Sequence, residues 1–120
     1  MLALALLAAG CGGTSAYSVA KTKNCLQQRG AQVTPPQHDF VATTATGGAF
    51  EARLGDNRVW MVFGQNQHDA EQIVLAYQKF ALPNVKPGLA DVVRRVRNAV
   101  MRWQEHPQDA DLALVVGCLR

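Results

Sequence analysis

Serine is nearly missing from this 120-residue chain: Ser15 and Ser18 are the only two, and both lie at or before the start of the first predicted helix. A serine nucleophile must be held rigidly within reach of its base, so the folded body does not supply hydrolysis of the Ser-His-Asp kind. Glycine-rich phosphate loops are also missing, because Gly12-Gly13 and Gly47-Gly48 lack the downstream pattern. Charge is sparse: 12 basic and 9 acidic residues leave a net +3, with 7% aromatics. A nucleic-acid surface needs denser positive charge with stacking rings between the charges, so no nucleic-acid partner is expected. The chain has no internal repeat and no low-complexity tract. Its 48% hydrophobic and 18% charged residues are ordinary for one globular domain. A body of roughly 100 residues buries a real core but is only marginally stable unaided.

What the chain does have begins at its first residue. Met1 to Ala9 carries no charge and, after the methionine, only Leu and Ala. Such a run falls far short of the roughly 20 apolar residues of a spanning helix, and it suits the apolar region of an export signal. Small residues Ala8-Ala9-Gly10 then lead into Cys11. This segment resembles the lipobox of bacterial lipoproteins, although Ala8 stands where that family prefers Leu and no Lys or Arg precedes Lys21. The resemblance implies that residues 1–10 are a signal peptide and that Cys11 is joined to diacylglycerol and becomes the new N-terminus. Residues 11–16 then form the lipidated N-terminus and a flexible tether, and 17–120 a single domain. The partner so implied is membrane lipid, and the location is the extracytoplasmic face of the cell membrane. The other reading of the leader is a soluble secreted protein from which it is simply removed.

Export would leave Cys25 and Cys118 in an oxidising compartment, where a cysteine pair in a small domain most often forms a disulfide. With Cys11 set aside only one connectivity exists; the competing reading is two buried free thiols.

The periodicities predict an α+β fold. A helix over Tyr17–Arg29 ends at Gly30, and a short strand runs Ala31–Thr34. Gln37–Gly48 is a polar connection or one more strand. Phe50, Ala52 and Leu54 alternate with Glu51 and Arg53, and Gly55-Asp56-Asn57 turns the chain into the apolar strand Val59–Phe63. Asp69 caps a helix with Ala70, Ile73, Val74, Tyr77 and Phe80 on its inner face. Val92–Val96 and Ala99–Trp103 form a second hairpin, with Asn98 available for a positive φ at its tip. A last helix runs from Pro107 and Asp109 through Cys118, with Leu112, Val115, Val116 and Leu119 inward. The expected order is α-β-β-β-α-β-β-α, a mostly antiparallel sheet with helices packed on one face. Cys25-Leu26, Trp103 and Cys118-Leu119 resemble features of small exported lipoproteins of unknown function from GC-rich bacteria, which lend no activity.

Candidate chemistry is limited. His38-Asp39, His68-Asp69 and Glu105-His106 offer three imidazoles beside carboxylates, so a small metal-binding protein or enzyme using His38, His68 and His106 is one alternative. No two of them lie three or four apart on a helix, so neither a metal nor a cofactor is expected. Arg94, Arg95, Arg97 and Arg102 crowd one hairpin as a possible basic surface toward anionic lipid or another anionic envelope component, or as a solvated sheet face. Trp60 and Trp103 are expected to pack in the core. These readings converge on a non-catalytic, membrane-anchored binding or envelope-interaction domain.

Overall fold

Five strands form one antiparallel sheet in the order β1-β2-β3-β5-β4. The computed structural model describes residues 16–120. The expected signal peptide, the lipidation at Cys11 and residues 11–15 of the tether lie outside the described residues. The elements are α1 (Val19–Gln28), β1 (Gln32–Thr34), α2 (Phe40–Thr43), β2 (Ala49–Leu54), β3 (Asn57–Phe63) and α3 (Gln67–Phe80). A 3₁₀ turn over Lys86–Gly88, α4 (Leu89–Val92), β4 (Val93–Val96), β5 (Ala99–Trp103) and α5 (Asp109–Gly117) follow. The α+β class and the antiparallel sheet agree with the sequence reading, and the order agrees once α2, the 3₁₀ turn and α4 are added.

Local chemistry sets the boundaries. Ser18 caps α1 by accepting from the Lys21 N–H, so the helix starts two residues later than its apolar spacing suggests. Gly30, at φ +93°, ends it in the left-handed conformation that glycine adopts freely. The β2–β3 hairpin pairs Leu54 with Asn57 across a two-residue loop, and Gly55 takes a positive φ there. In the β4–β5 hairpin Val96 pairs with Ala99, and it is Arg97, at φ +53°, that occupies the left-handed region rather than Asn98. Asn98 is buried instead. Its side chain accepts from the Tyr17 N–H at 2.7 Å and donates to the Gly64 carbonyl at 3.0 Å and the Tyr17 carbonyl at 3.2 Å.

Helices cover both faces of the sheet, not one. On the first face, Phe50, Ala52, Leu54, Val59, Met61, Phe63, Ala99, Met101 and Trp103 meet Leu26 of α1 and Val115, Cys118 and Leu119 at the C-terminal end. On the second, Trp60, Val62 and Val100 meet Val41 and Ala42 of α2, Ala70, Ile73 and Tyr77 of α3, and Leu89 of α4. The physical cause is β3: Val59–Phe63 is apolar at consecutive positions and therefore buries both its faces. Trp103 is fully buried and Trp60 nearly so, as expected. Val116 departs from the expectation, since it is exposed on α5.

The Cys25 and Cys118 sulfurs lie at bonding distance, 2.14 Å, with Cα atoms 5.4 Å apart. The pair ties α1 to the C-cap of α5. The Ser18 N–H donates to the Arg120 carbonyl, and the Arg120 N–H to the buried Thr22 hydroxyl, so both ends of the described body close on the same side. Among the described residues no helix is long and apolar enough to cross a membrane.

Candidate functional site

The chain leaving β1 passes Pro35-Pro36 and crosses the second face of the sheet. There the Gln37 carbonyl accepts the Trp60 indole N–H at 2.9 Å. His38 then takes φ +58° and turns Asp39 inward. Asp39 is the N-cap of α2, and its Oδ1 accepts from the Ala42 N–H at 2.9 Å. From α3, the Tyr77 hydroxyl donates to the same carboxylate, 3.1 Å from Oδ1 and 3.0 Å from Oδ2. Burial raises the ionisation of Tyr77 far above its ordinary range, and the negative charge and hydrogen bond of Asp39 add to it. The phenol therefore stays protonated and remains a donor.

Arg102 of β5 is paired across the sheet with Trp60 of β3. Its guanidinium carbon sits 4.5 Å from the centre of the Trp60 ring, and Arg58 approaches the same indole at 5.8 Å. A cation–π approach of this kind holds the guanidinium without using its N–H groups. Arg102 Nη1 is 3.9 Å from Asp39 Oδ2, an ionic approach too long for a hydrogen bond. Arg58 is 3.3 Å from the buried Glu51.

A cleft of about 180 Å³ opens over this cluster, lined by Asp39, Tyr77 and Arg102 on the polar side and Phe40, Phe80, Val85 and Leu89 on the apolar side. Phe40 and Phe80 meet edge to face at 5.7 Å. They remain 67% and 59% exposed, and neighbouring Leu82 is 64% exposed. Large apolar side chains held together in the open mark a binding surface more often than an accident of packing. A second cleft of about 470 Å³, bounded by Asp56, Asn57, Glu105, His106 and Asp111, is more polar and lacks buried charged groups at its base.

Of the arginines and histidines singled out in the sequence, one, Arg102, is gathered here, together with Asp39, the carboxylate beside His38. The four arginines do not form a strip. Arg94 points to the first face and donates to the Asp91 carbonyl, Arg95 donates to the Arg97 carbonyl, and Arg97 lies over the Tyr17 ring. Only Arg102 reaches the cleft. Alternation along the hairpin, with a turn residue at its tip, separates side chains that are neighbours in sequence. The histidines are also apart. His38 precedes α2, His68 lies in the first turn of α3, and His106 follows β5, with its Nδ1 2.6 Å from Asp91 Oδ1. Among the described residues no group of three or more His, Cys, Asp or Glu is placed to hold a metal ion.

Sequence reasoning named Asp39 only as the neighbour of His38 and Tyr77 only as a core residue, and it missed the role of Phe40 and the outward turn of Phe80, which periodicity places in the core. One signal was available: from Gln72 to Ala90 the chain carries Phe80, Leu82 and Val85 with Lys79 and Lys86 and no carboxylate. No protein-family profile, curated protein or solved structure matches the chain.

Proposed function

We propose that this protein is an exported lipoprotein, anchored to the extracytoplasmic face of the cell membrane through acylated Cys11, whose domain is a non-catalytic binding module using the Asp39–Tyr77–Arg102 cleft. The observation that carries the export reading is the Cys25–Cys118 pair at bonding distance across 93 residues of sequence. Such pairs persist in oxidising compartments and are rare in the cytosol of mesophiles. The lipobox-like segment ending at Cys11 supplies the anchor, and two acyl chains hold a protein to a bilayer where one does not. Support for binding rather than catalysis comes from the site itself. Both Asp39 oxygens already accept hydrogen bonds, and the Tyr77 proton is held by burial. The polar groups are therefore arranged to position a ligand rather than to move a proton.

The test is fractionation of cells expressing the protein and its Cys11→Ser variant, with intact mass measured on each. The wild type is expected in the membrane fraction with a diacylglycerol adduct and without residues 1–10, and the variant in the soluble fraction. Equal membrane retention of both would remove the lipid anchor. Both proteins appearing soluble, with the leader cleaved, would establish the secreted form instead.

A further inference from the structure

We infer that the cleft at the end of α3 binds an anionic amphiphile: a carboxylate or phosphate head on Arg102, with an alkyl or aryl tail over Phe40 and Phe80. The inference rests on the reading of this cleft as the binding site and names its ligand class. The polar side supplies one cation with donors to spare. Arg102 makes no side-chain hydrogen bond among the described residues, keeps 29% of its side chain exposed, and is held over the Trp60 ring at 4.5 Å. A guanidinium held in this way offers its N–H edge to a planar or tetrahedral anion, with little entropy left to lose. Asp39 does not fill that role, because the Ala42 N–H and the Tyr77 hydroxyl already occupy its oxygens.

Charge around the rim has the same sign. Lys79 approaches the Phe80 ring at 5.9 Å and Lys86 opens the 3₁₀ turn beside Val85, while residues 72–90 contribute no acid. A cationic ligand would meet these lysines and Arg102 with a single, already satisfied carboxylate in its favour. Size sets the other limit. About 180 Å³ is below the range typical of enclosed small-molecule pockets, roughly 300–1,000 Å³. It admits a head group and a few methylenes, and the remaining tail lies across the exposed Phe40 and Phe80 side chains.

Position explains why the ligand is not the anchoring bilayer itself. The first described residues lie at the Asn98 end of the sheet, where Ala16 shares a cleft with Asn66, His68 and Arg97. Helix α3 runs from that end to the Phe40–Phe80 pair, and its 14 residues span roughly 21 Å. A domain tethered through residues preceding Ala16 therefore presents the amphiphile cleft on the side away from its tether.

The test is isothermal titration calorimetry of the purified protein with octanoate and octyl phosphate, and with octanol and octylammonium for comparison. Both anions are expected to bind at least tenfold more tightly than octanol, and octylammonium more weakly than octanol. The tighter of the two anions identifies the head group, separating a fatty-acid-like ligand from a phospholipid-like one. Arg102→Gln should remove the preference, so that octanoate binds no better than octanol, while Arg102→Lys keeps the charge and retains part of it. Circular dichroism of each variant controls for folding. Octanol matching octanoate, or Arg102→Lys behaving no differently from Arg102→Gln, would overturn the ligand class and leave the cleft a binding site. Absence of heat with all four compounds would overturn both, whereas the Cys11→Ser fractionation speaks to the anchor alone.

Discussion

Tyr77 carries the clearest pH signature among the described residues. Burial, reinforced by the Asp39 charge and hydrogen bond, raises its ionisation well above the ordinary value of 10.0. An unfolded chain releases that proton from about pH 10 upward, while the folded chain keeps it. The folded state then binds more protons than the unfolded one, so stability is whole below pH 10 and falls as pH rises beyond it, by up to about 1.4 kcal/mol per pH unit. Tyr77→Phe should flatten this dependence in urea titrations between pH 9 and 11. At pH 7 the same variant should lose about 1–3 kcal/mol, because Asp39 is left buried with one donor fewer. Parallel pH profiles for the two proteins would show that the phenol does not stay protonated. Other residue-scale facts were hidden from the sequence for a common reason. Turn propensity assigns the positive φ to Asn98, yet Arg97 takes it, because the Asn98 side chain is committed to Tyr17 and Gly64. A contact 81 residues away in sequence overrides a local preference.

At the scale of elements, patterns of several residues were legible and single turns were not. Alternation at Phe50, Ala52 and Leu54 gives β2 correctly, and the spacing of Ala70, Ile73 and Tyr77 gives the buried face of α3. The unbroken run Val59–Phe63 already contained the sign of a two-sided sheet, since a strand apolar at every position cannot leave one face to water. By contrast α2 is one turn long, held by Asp39 at its start and by the Thr43 and Thr44 hydroxyls donating to the Phe40 carbonyl. No periodicity can reveal so short a helix, and the cleft depends on it. The start of α3 shows how capping rules shift by a few residues. Asn66 is the N-cap, accepting from the Asp69 N–H at 2.8 Å, and Asp69 reaches back to the Gln65 N–H at 2.9 Å. The expected cap, Asp69, instead accepts from the N–H of the residue before the true N-cap, a variant of the capping-box arrangement. Asn66→Ala should cost about 1 kcal/mol in urea unfolding, and Asn66→Asp should restore most of it. An Asn66→Ala protein as stable as the wild type would mean that packing of Ala70 and Ile73 alone positions the helix.

Considered whole, the molecule separates its covalent brace from its cleft by the thickness of the sheet. Cys25 and Cys118 join α1 to the end of α5 on the first face, where the two ends of the described body also exchange hydrogen bonds. The cleft lies on the second face, among α2, α3 and Arg102. The pairing was legible from the cysteine count together with the expectation of export, and the fold makes it geometrically sound without reference to the leader, since Cα atoms 5.4 Å apart lie within the range that disulfides span. Cross-linking across 93 residues restricts the unfolded chain far more than the folded one. In the chain-entropy picture this is worth up to about 4.7 kcal/mol, a large share of the roughly 5–15 kcal/mol that holds a domain. Urea unfolding with and without reductant should therefore show a loss of about 2–5 kcal/mol on reduction, and the Cys25→Ser, Cys118→Ser double variant should match the reduced protein. In the fraction still folded, amide exchange should quicken along α1 and α5 before it quickens in β3 and β5, which are paired on both sides and buried on both faces. Unchanged stability on reduction would mean that the termini are held by Leu26, Val115 and Leu119 packing alone. The bond would then have no part in stabilising the fold.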